Sequence, residues 1–223
     1  MRTVLWTLLV LTLVGVGLDR GADWYAEREV AARLASSQDL PTAPDVDIAG
    51  FPFLTQVLDR RFGEVSATSD DLTVGSGESE LRLARVLATF TDVTTDRDFS
   101  RFRATRGRVV ATISYGELGR LTGLDVTYVG DGRVRGGREV TIAGETFDPG
   151  VTVQPRLTDG VVSFVDAAAE GSLPPAVTAV VSAAFDVDLP VDGLPFDVRP
   201  ESLSAGKGGL RLVLVGRDLS YAG

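Results

Sequence analysis

Residues 22–58 read ADWYAEREVAARLASSQDLPTAPDVDIAGFPFLTQVL. Ala26, Val30, Ala31 and Leu34 recur at helical spacing, with Glu27, Arg28 and Arg33 at the other positions. That pattern predicts an amphipathic helix over residues 22–37. Pro41 and Pro44 end it, because proline lacks the amide a helix needs and restricts the residue before it. Residues 46–48 then read as extended chain. In the block from Gly50 to Leu58, Pro52 suits the start of a short helix. Leu54, Val57 and Leu58 fall on one face of that helix, and Gly63, after Phe62, is its predicted stop.

Upstream, residues 3–18 form sixteen positions without a charge, preceded by Arg2 and followed by Asp19 and Arg20. As a helix they extend about 24 Å at ~1.5 Å per residue. That is short of a hydrocarbon core of ~30 Å. It is slightly long for the ~7–15-residue apolar region of a signal peptide. Both readings keep the positive end in the cytoplasm and place Asp19 onward on the extracytoplasmic side. Gly15-Val16-Gly17 is a poor cleavage site, and Gly21 is the one breaker before the amphipathic stretch. The expectation is therefore one continuous helix and an uncleaved anchor at the cell membrane. The alternative is a removed signal peptide and a secreted domain. The predicted organisation is a hydrophobic segment, 1–18, and a single exported domain, 19–223.

Downstream the pattern changes to strands. Residues 65–74, 81–94 and 102–113 alternate in the manner of half-buried strands, the last with an interruption expected near Gly107. Ser114-Tyr115-Gly116-Glu117 fits a capping box and opens a short helix that Gly123 stops. Hairpins follow around Asp131-Gly132 and around Thr158-Asp159-Gly160. Val177, Val180, Val181, Ala184 and Phe185 predict a further helix opened by Pro174-Pro175. Residues 208–216 read as a strand. The fold class is therefore α+β: a long N-terminal helix, antiparallel hairpins and two or three short helices.

Composition removes many chemistries. The 223 residues contain no Cys and no His, and the net charge is −9. Disulfides, thiol nucleophiles, zinc ribbons, iron–sulfur clusters and histidine-dependent triads are therefore impossible. Any metal site would be all oxygen. Net acidity argues against nucleic-acid binding, and no cofactor is expected. Ser204-Ala205-Gly206-Lys207 has Ser-x-x-Lys spacing, but its glycines favour a hairpin turn over the helical turn that chemistry needs. Asp45/Asp47, Asp96/Asp98 and Asp186/Asp188 repeat Asp-x-Asp. In strands such pairs face solvent on one side.

Two arginine groups stand out in an acidic chain: Arg97, Arg101, Arg103, Arg106 and Arg108, and then Arg133, Arg135 and Arg138. Each reads either as a solvated strand edge or as a contact for phosphate-bearing headgroups. Arg101 and Arg103 are the headgroup candidates. Phe51, Phe53, Leu54, Val57 and Leu58, with Phe90, Phe164 and Phe196, read either as core or as the wall of an apolar ligand cavity.

The helix Ala26-Glu27-Arg28-Glu29-Val30-Ala31-Ala32-Arg33-Leu34 is followed by Val-x-Ile-x-Gly-Phe-Pro-Phe-Leu-Thr-Gln-Val-Leu at 46–58. With the hydrophobic start, these residues resemble the LmeA-like family of actinobacterial envelope proteins. Ser114-Tyr115 with Leu118, and Leu194-Pro195-Phe196, follow in the same order. The resemblance implies phospholipid binding in the cell envelope and, in mycobacteria, a part in lipomannan maturation. It also implies a tubular lipid-binding type of fold, in which a strongly curved antiparallel sheet packs against a long helix. It brings no catalytic residues. The expected protein is a membrane-tethered, non-enzymatic carrier of phospholipid or glycolipid acyl chains. The competing readings are an envelope protein-interaction module and a glycan hydrolase with two carboxylates facing each other across a cleft.

Overall fold

A computed structural model describes residues 2–37, 40–74, 80–97, 101–142, 145–147, 149–169, 189–190 and 198–222. Helix α1 (Arg2–Ser37) is a single helix of 36 residues, as the sequence predicts. β1 (Asp45–Ala49) and the short α2 (Phe53–Asp59) follow. Long strands β2 (Arg61–Val74), β3 (Leu81–Thr95) and β4 (Arg101–Ile113) lead to α3 (Tyr115–Thr122). Then come β5 (Asp125–Gly130), β6 (Arg133–Gly137), β7 (Val140–Ile142), β8 (Glu145–Phe147), β9 (Gly150–Thr158), β10 (Val161–Ala169) and β11 (Leu189–Pro190). The chain closes with β12 (Arg199–Gly206) and β13 (Gly209–Ala222). The helix predicted at 174–185 lies outside the described residues.

The sheets are antiparallel wherever their pairing is described. One is six-stranded in the order β1-β2-β3-β4-β13-β12, a second is five-stranded in the order β11-β10-β9-β6-β5, and β7 pairs β8. The chain divides into two compact units: Met1–Ser69 with Leu87–Arg108 and Gly216–Gly223, and Asp70–Val86 with Val109–Val215. The sequence organisation has one domain after residue 18; β2, β3, β4 and β13 each contribute to both units.

In the first unit, Val46, Ile48 and Phe53 are buried under Ala22, Ala26, Val30, Ala31 and Leu34 of α1, with Val57, Phe62, Val65 and Ala67 around them. The predicted apolar face of α1 is therefore the face that packs. In the second unit, Val134, Val151 and Val153 are fully buried, with Leu118, Leu124, Val126 and Leu210. Val134 pairs directly with Val153 across β6 and β9, so the cluster is built from cross-strand neighbours on one sheet face.

Local signals set the turns. Asp131 and Gly132 have φ of 48° and 71°, and Asp159 and Gly160 have 51° and 79°. Two left-handed central residues make the turn whose twist matches paired strands. Gly206 pairs Gly209, so Ser204–Lys207 runs into a hairpin turn, as the glycines suggest. Ser114 Oγ accepts from the Glu117 N–H at 3.2 Å, and Gly123 closes α3 in the left-handed region.

Two local expectations need correction. α2 ends at Arg60, with φ 53°, and not at Gly63. The Arg60 amide bonds back to Val57, while Gln56 Oε1 accepts from Gly63 N–H at 3.2 Å, so Gly63 already belongs to β2. Nor does Gly107 interrupt β4. A Cβ there would overlap the Leu219 side chain and meet the Phe90 ring at 3.3 Å. Glycine at 107 makes room for its neighbours and does not break the strand.

Candidate functional site

Asp19, Asp23 and Glu27 are spaced one turn apart on α1, and two of them, Asp19 and Glu27, hold α2 and β1. Asp19 Oδ2 accepts from the Phe53 N–H at 2.9 Å, and Oδ1 from the Leu54 N–H at 2.8 Å. Those are the first amides of α2, whose own N-cap is Pro52 and supplies no side-chain bond. Asp19 thus caps α2 from another helix. The Leu54 amide, foremost among several causes, holds its carboxyl below the usual range. Glu27 Oε1 accepts from the Ile48 N–H at 3.0 Å. Asp23 is buried beside Arg20, at 3.1 Å, and burial pushes its carboxyl upward.

This capping also fixes the rotation of α2. Phe53 is 3% exposed, and Val57 packs with it in the core. Leu54 and Leu58 point outward with Phe51. The expected single face of Leu54, Val57 and Leu58 is therefore split, because the buried stripe runs through Phe53 and Val57.

β3, like its neighbour β2 at residues 65–69, departs from simple alternation of buried and exposed positions. Residues 86–91 are all partly buried, on both faces of the strand. A strand with one core face and one solvent face alternates instead. Phe90 meets Phe102 edge-on, with centroids 5.9 Å apart. Gly107, Leu219 and Ala104, all buried, lie on the strands that carry this pair and on β13. Val86, Ala88 and Phe90 share one face of the run, and Leu87 shares the other with Thr89 and Thr91; the first face offers the partly open apolar side chains that an acyl-chain surface requires.

Left-handed aspartates punctuate the long strands: Asp71 in β2, Asp92 in β3, Asp166 in β10 and Asp218 in β13. Aspartate tolerates this conformation better than most residues. At Asp166 the pairing register shifts between Val165 and Ala168, the mark of a bulge that bends the strand. In sequence Asp92, Asp166 and Asp218 each stand alone within a strand segment while Asp71 follows Asp70, and that placement is the signal they carry. Asp45 and Asp47 do face outward on β1, on either side of buried Val46.

Asp92, Thr94, Arg103, Thr105, Asp218 and Ser220 rim a depression of about 460 Å³ floored by Ala104 and Leu219. Arg103, the headgroup candidate, thus shares its surroundings with two carboxylates. Arg101 is exposed beside the turn, where its N–H and carbonyl bond to Asp96 and Thr95. In the second arginine group, Arg133 donates to the carbonyls of Thr152 and Asp166 and so ties strands together. Phe164 packs against the Val134–Val153 core, and Phe196 lies outside the described residues. The left-handed backbone accounts for aspartate at both 92 and 218. Among the described residues, no group of three His, Cys, Asp or Glu could hold a metal ion.

α3 is tied down by Glu117. Its carboxylate takes Arg120 Nε at 2.9 Å and a second Arg120 nitrogen at 2.6 Å, and accepts from the Arg82 N–H at 2.9 Å. The Arg120 bonds, foremost, and the Arg82 amide lower its pKa from 4.5 to about 2. A carboxylate depressed on folding stabilises the fold fully above about 4.5 and loses that contribution as pH falls towards about 2. Melting temperature measured across that window is expected to fall with acid. Glu117→Gln is expected to flatten the slope and to lower stability at neutral pH; an unchanged acid slope would remove Glu117 from this role.

The fold and site together define an α+β chain with a long N-terminal helix packed on open antiparallel sheet, with one partly open apolar strand face on β3. The chain belongs to the LmeA-like phospholipid-binding family, whose model matches residues 17–214. Neither curated proteins nor solved structures give a significant match.

Proposed function

We propose that this protein is a membrane-tethered, extracytoplasmic lipid carrier. It holds the acyl chains of a phospholipid or related glycolipid along a half-open apolar sheet surface. In this role it supports envelope lipid or lipoglycan maturation, and it acts without catalysis. Family membership supports lipid as the ligand. The observation that carries the proposal further is the partly buried run 86–91 with the Phe90–Phe102 pair. Acyl chains leaving a bilayer for such a surface exchange one apolar environment for another, so the ~0.8 kcal/mol per CH₂ of burial largely cancels. Near balance suits transfer over storage. Tethering rests on the uncharged stretch at 3–18, with Arg2 before it. Among the described residues, no helix is long and apolar enough to cross a membrane.

The test is native mass spectrometry of protein purified from cells with native membranes, followed by lipid extraction. Stoichiometric phospholipid is the expected result, and Phe90→Asp is expected to reduce it. A lipid-free protein that also takes up no lipid from vesicles would overturn the carrier role and favour an interaction module.

A further inference from the structure

The geometry points to a second membrane contact: the exposed apolar ridge of Phe51, just before α2, with Leu54 and Leu58 on α2, inserts into the bilayer interface beside the N-terminal helix. The inference rests on the proposed anchor at 3–18.

Three observations carry it. First, Phe51, just before α2, and Leu54 and Leu58 on α2 are 57%, 43% and 80% exposed, whereas Phe53 is buried. Leu54 and Leu58 are one turn apart, so they form a continuous apolar ridge. Second, the position of that ridge is fixed. Asp19 binds the amides of Phe53 and Leu54, and Asp19 directly follows Leu18, the last uncharged residue. Arg20, the next residue of α1, lies over the Phe51 ring, 5.3 Å from its centroid. Third, Trp24 and Tyr25 are 56% and 66% exposed on α1. They lie about 9 Å beyond Leu18 along the helix axis. Exposed Trp and Tyr at that depth suit the headgroup region, where amphipathic rings concentrate. Arg28 covers the Trp24 ring at 4.2 Å, and Arg20 and Arg28 offer guanidinium groups to lipid phosphates.

The physical need is length. Residues 3–18 supply about 24 Å of apolar helix against a core of ~30 Å. A short apolar segment thins the bilayer or recruits flanking groups. The α2 ridge adds apolar surface beside α1 at the point, just after Leu18, where that segment stops. The partner is therefore the lipid bilayer. The ridge would hold the protein at the surface from which lipid is collected.

The chain has no cysteine, so a single Leu58→Cys substitution carries one nitroxide label in the full-length protein. Leu54→Cys gives a second ridge site, should one label perturb packing. Leu13→Cys reports the anchor. Ala32→Cys reports α1 about 21 Å beyond Leu18. In vesicles of phosphatidylethanolamine and phosphatidylglycerol, collisions with oxygen are expected to exceed those with a water-soluble nickel chelate at Leu13, Leu54 and Leu58. The opposite ratio is expected at Ala32. If Leu13 reports lipid while both ridge sites match Ala32, the docking surface is overturned and the anchor stands. If Leu13 itself matches Ala32, the anchor fails and the docking inference fails with it.

Discussion

Phe53→Ala is expected to destabilise the protein by about 3–5 kcal/mol, the cost of deleting a buried aromatic ring and leaving a cavity. Phe53 is buried against α1, with Phe62 6.4 Å away between centroids. Its neighbours Ala22, Ala26 and Ala31 are too small to refill the space. Leu58→Ala, one turn and a residue further along the same short helix, is expected to cost about 0.5 kcal/mol or less, as exposed positions do. Thermal or urea unfolding of the two variants checks the contrast. Similar losses at both positions would mean that α2 is rotated from the orientation Asp19 imposes. The contrast matters for function, because both residues belong to one apolar block that the sequence treats as a unit. Phe53 carries the fold, and Leu58 is free to meet a lipid surface.

Gly209→Ala is expected to cost more than about 3 kcal/mol. Gly209 has φ of +132°, a conformation L residues rarely adopt. A Cβ there would also run into the Ile113 carbonyl oxygen and lie 3.3 Å from Ser114 Cα. Both obstacles are backbone, so no rotamer change relieves them. The site joins the β12–β13 hairpin to the end of β4, where the Tyr115 hydroxyl also donates to the Gly206 carbonyl at 2.7 Å. Gly208→Ala is the matched control: nothing stands within 4 Å of a Cβ there. Unfolding midpoints and hydrogen exchange across β12 and β13 measure the difference. Equal stability of the two variants would contradict the strained geometry at Gly209.

The sequence could be read where structure is set by neighbours along the chain. The continuous α1, the capping of α3 by Ser114, the stop at Gly123 and the Asp-Gly hairpin turns each depend on φ preferences or amides within four residues. The apolar stripe Ala26, Val30, Ala31 and Leu34 is equally local, since helical spacing alone places it on one face. The LmeA-like phospholipid-binding resemblance was legible too, in the block at 46–58, and the match over residues 17–214 makes it membership.

Other features were hidden because their causes lie far away in the chain. Asp19 looks like a charge flanking an apolar stretch, and only the fold brings the α2 amides 34 and 35 positions later onto its carboxylate. Gly107 looks like a strand breaker until Leu219 arrives over it. Arg103 reads in sequence as part of a basic group, and only the fold sets Asp92 and Asp218 on the same rim. The sequence by itself determined the long helix, the capped α3, the Asp-Gly turns and the family, because short-range backbone preference and residue spacing decide those. Tertiary structure alone decided which apolar residues of 51–58 are core and which are surface, because a seven-residue helix has no inward face until another helix caps and orients it.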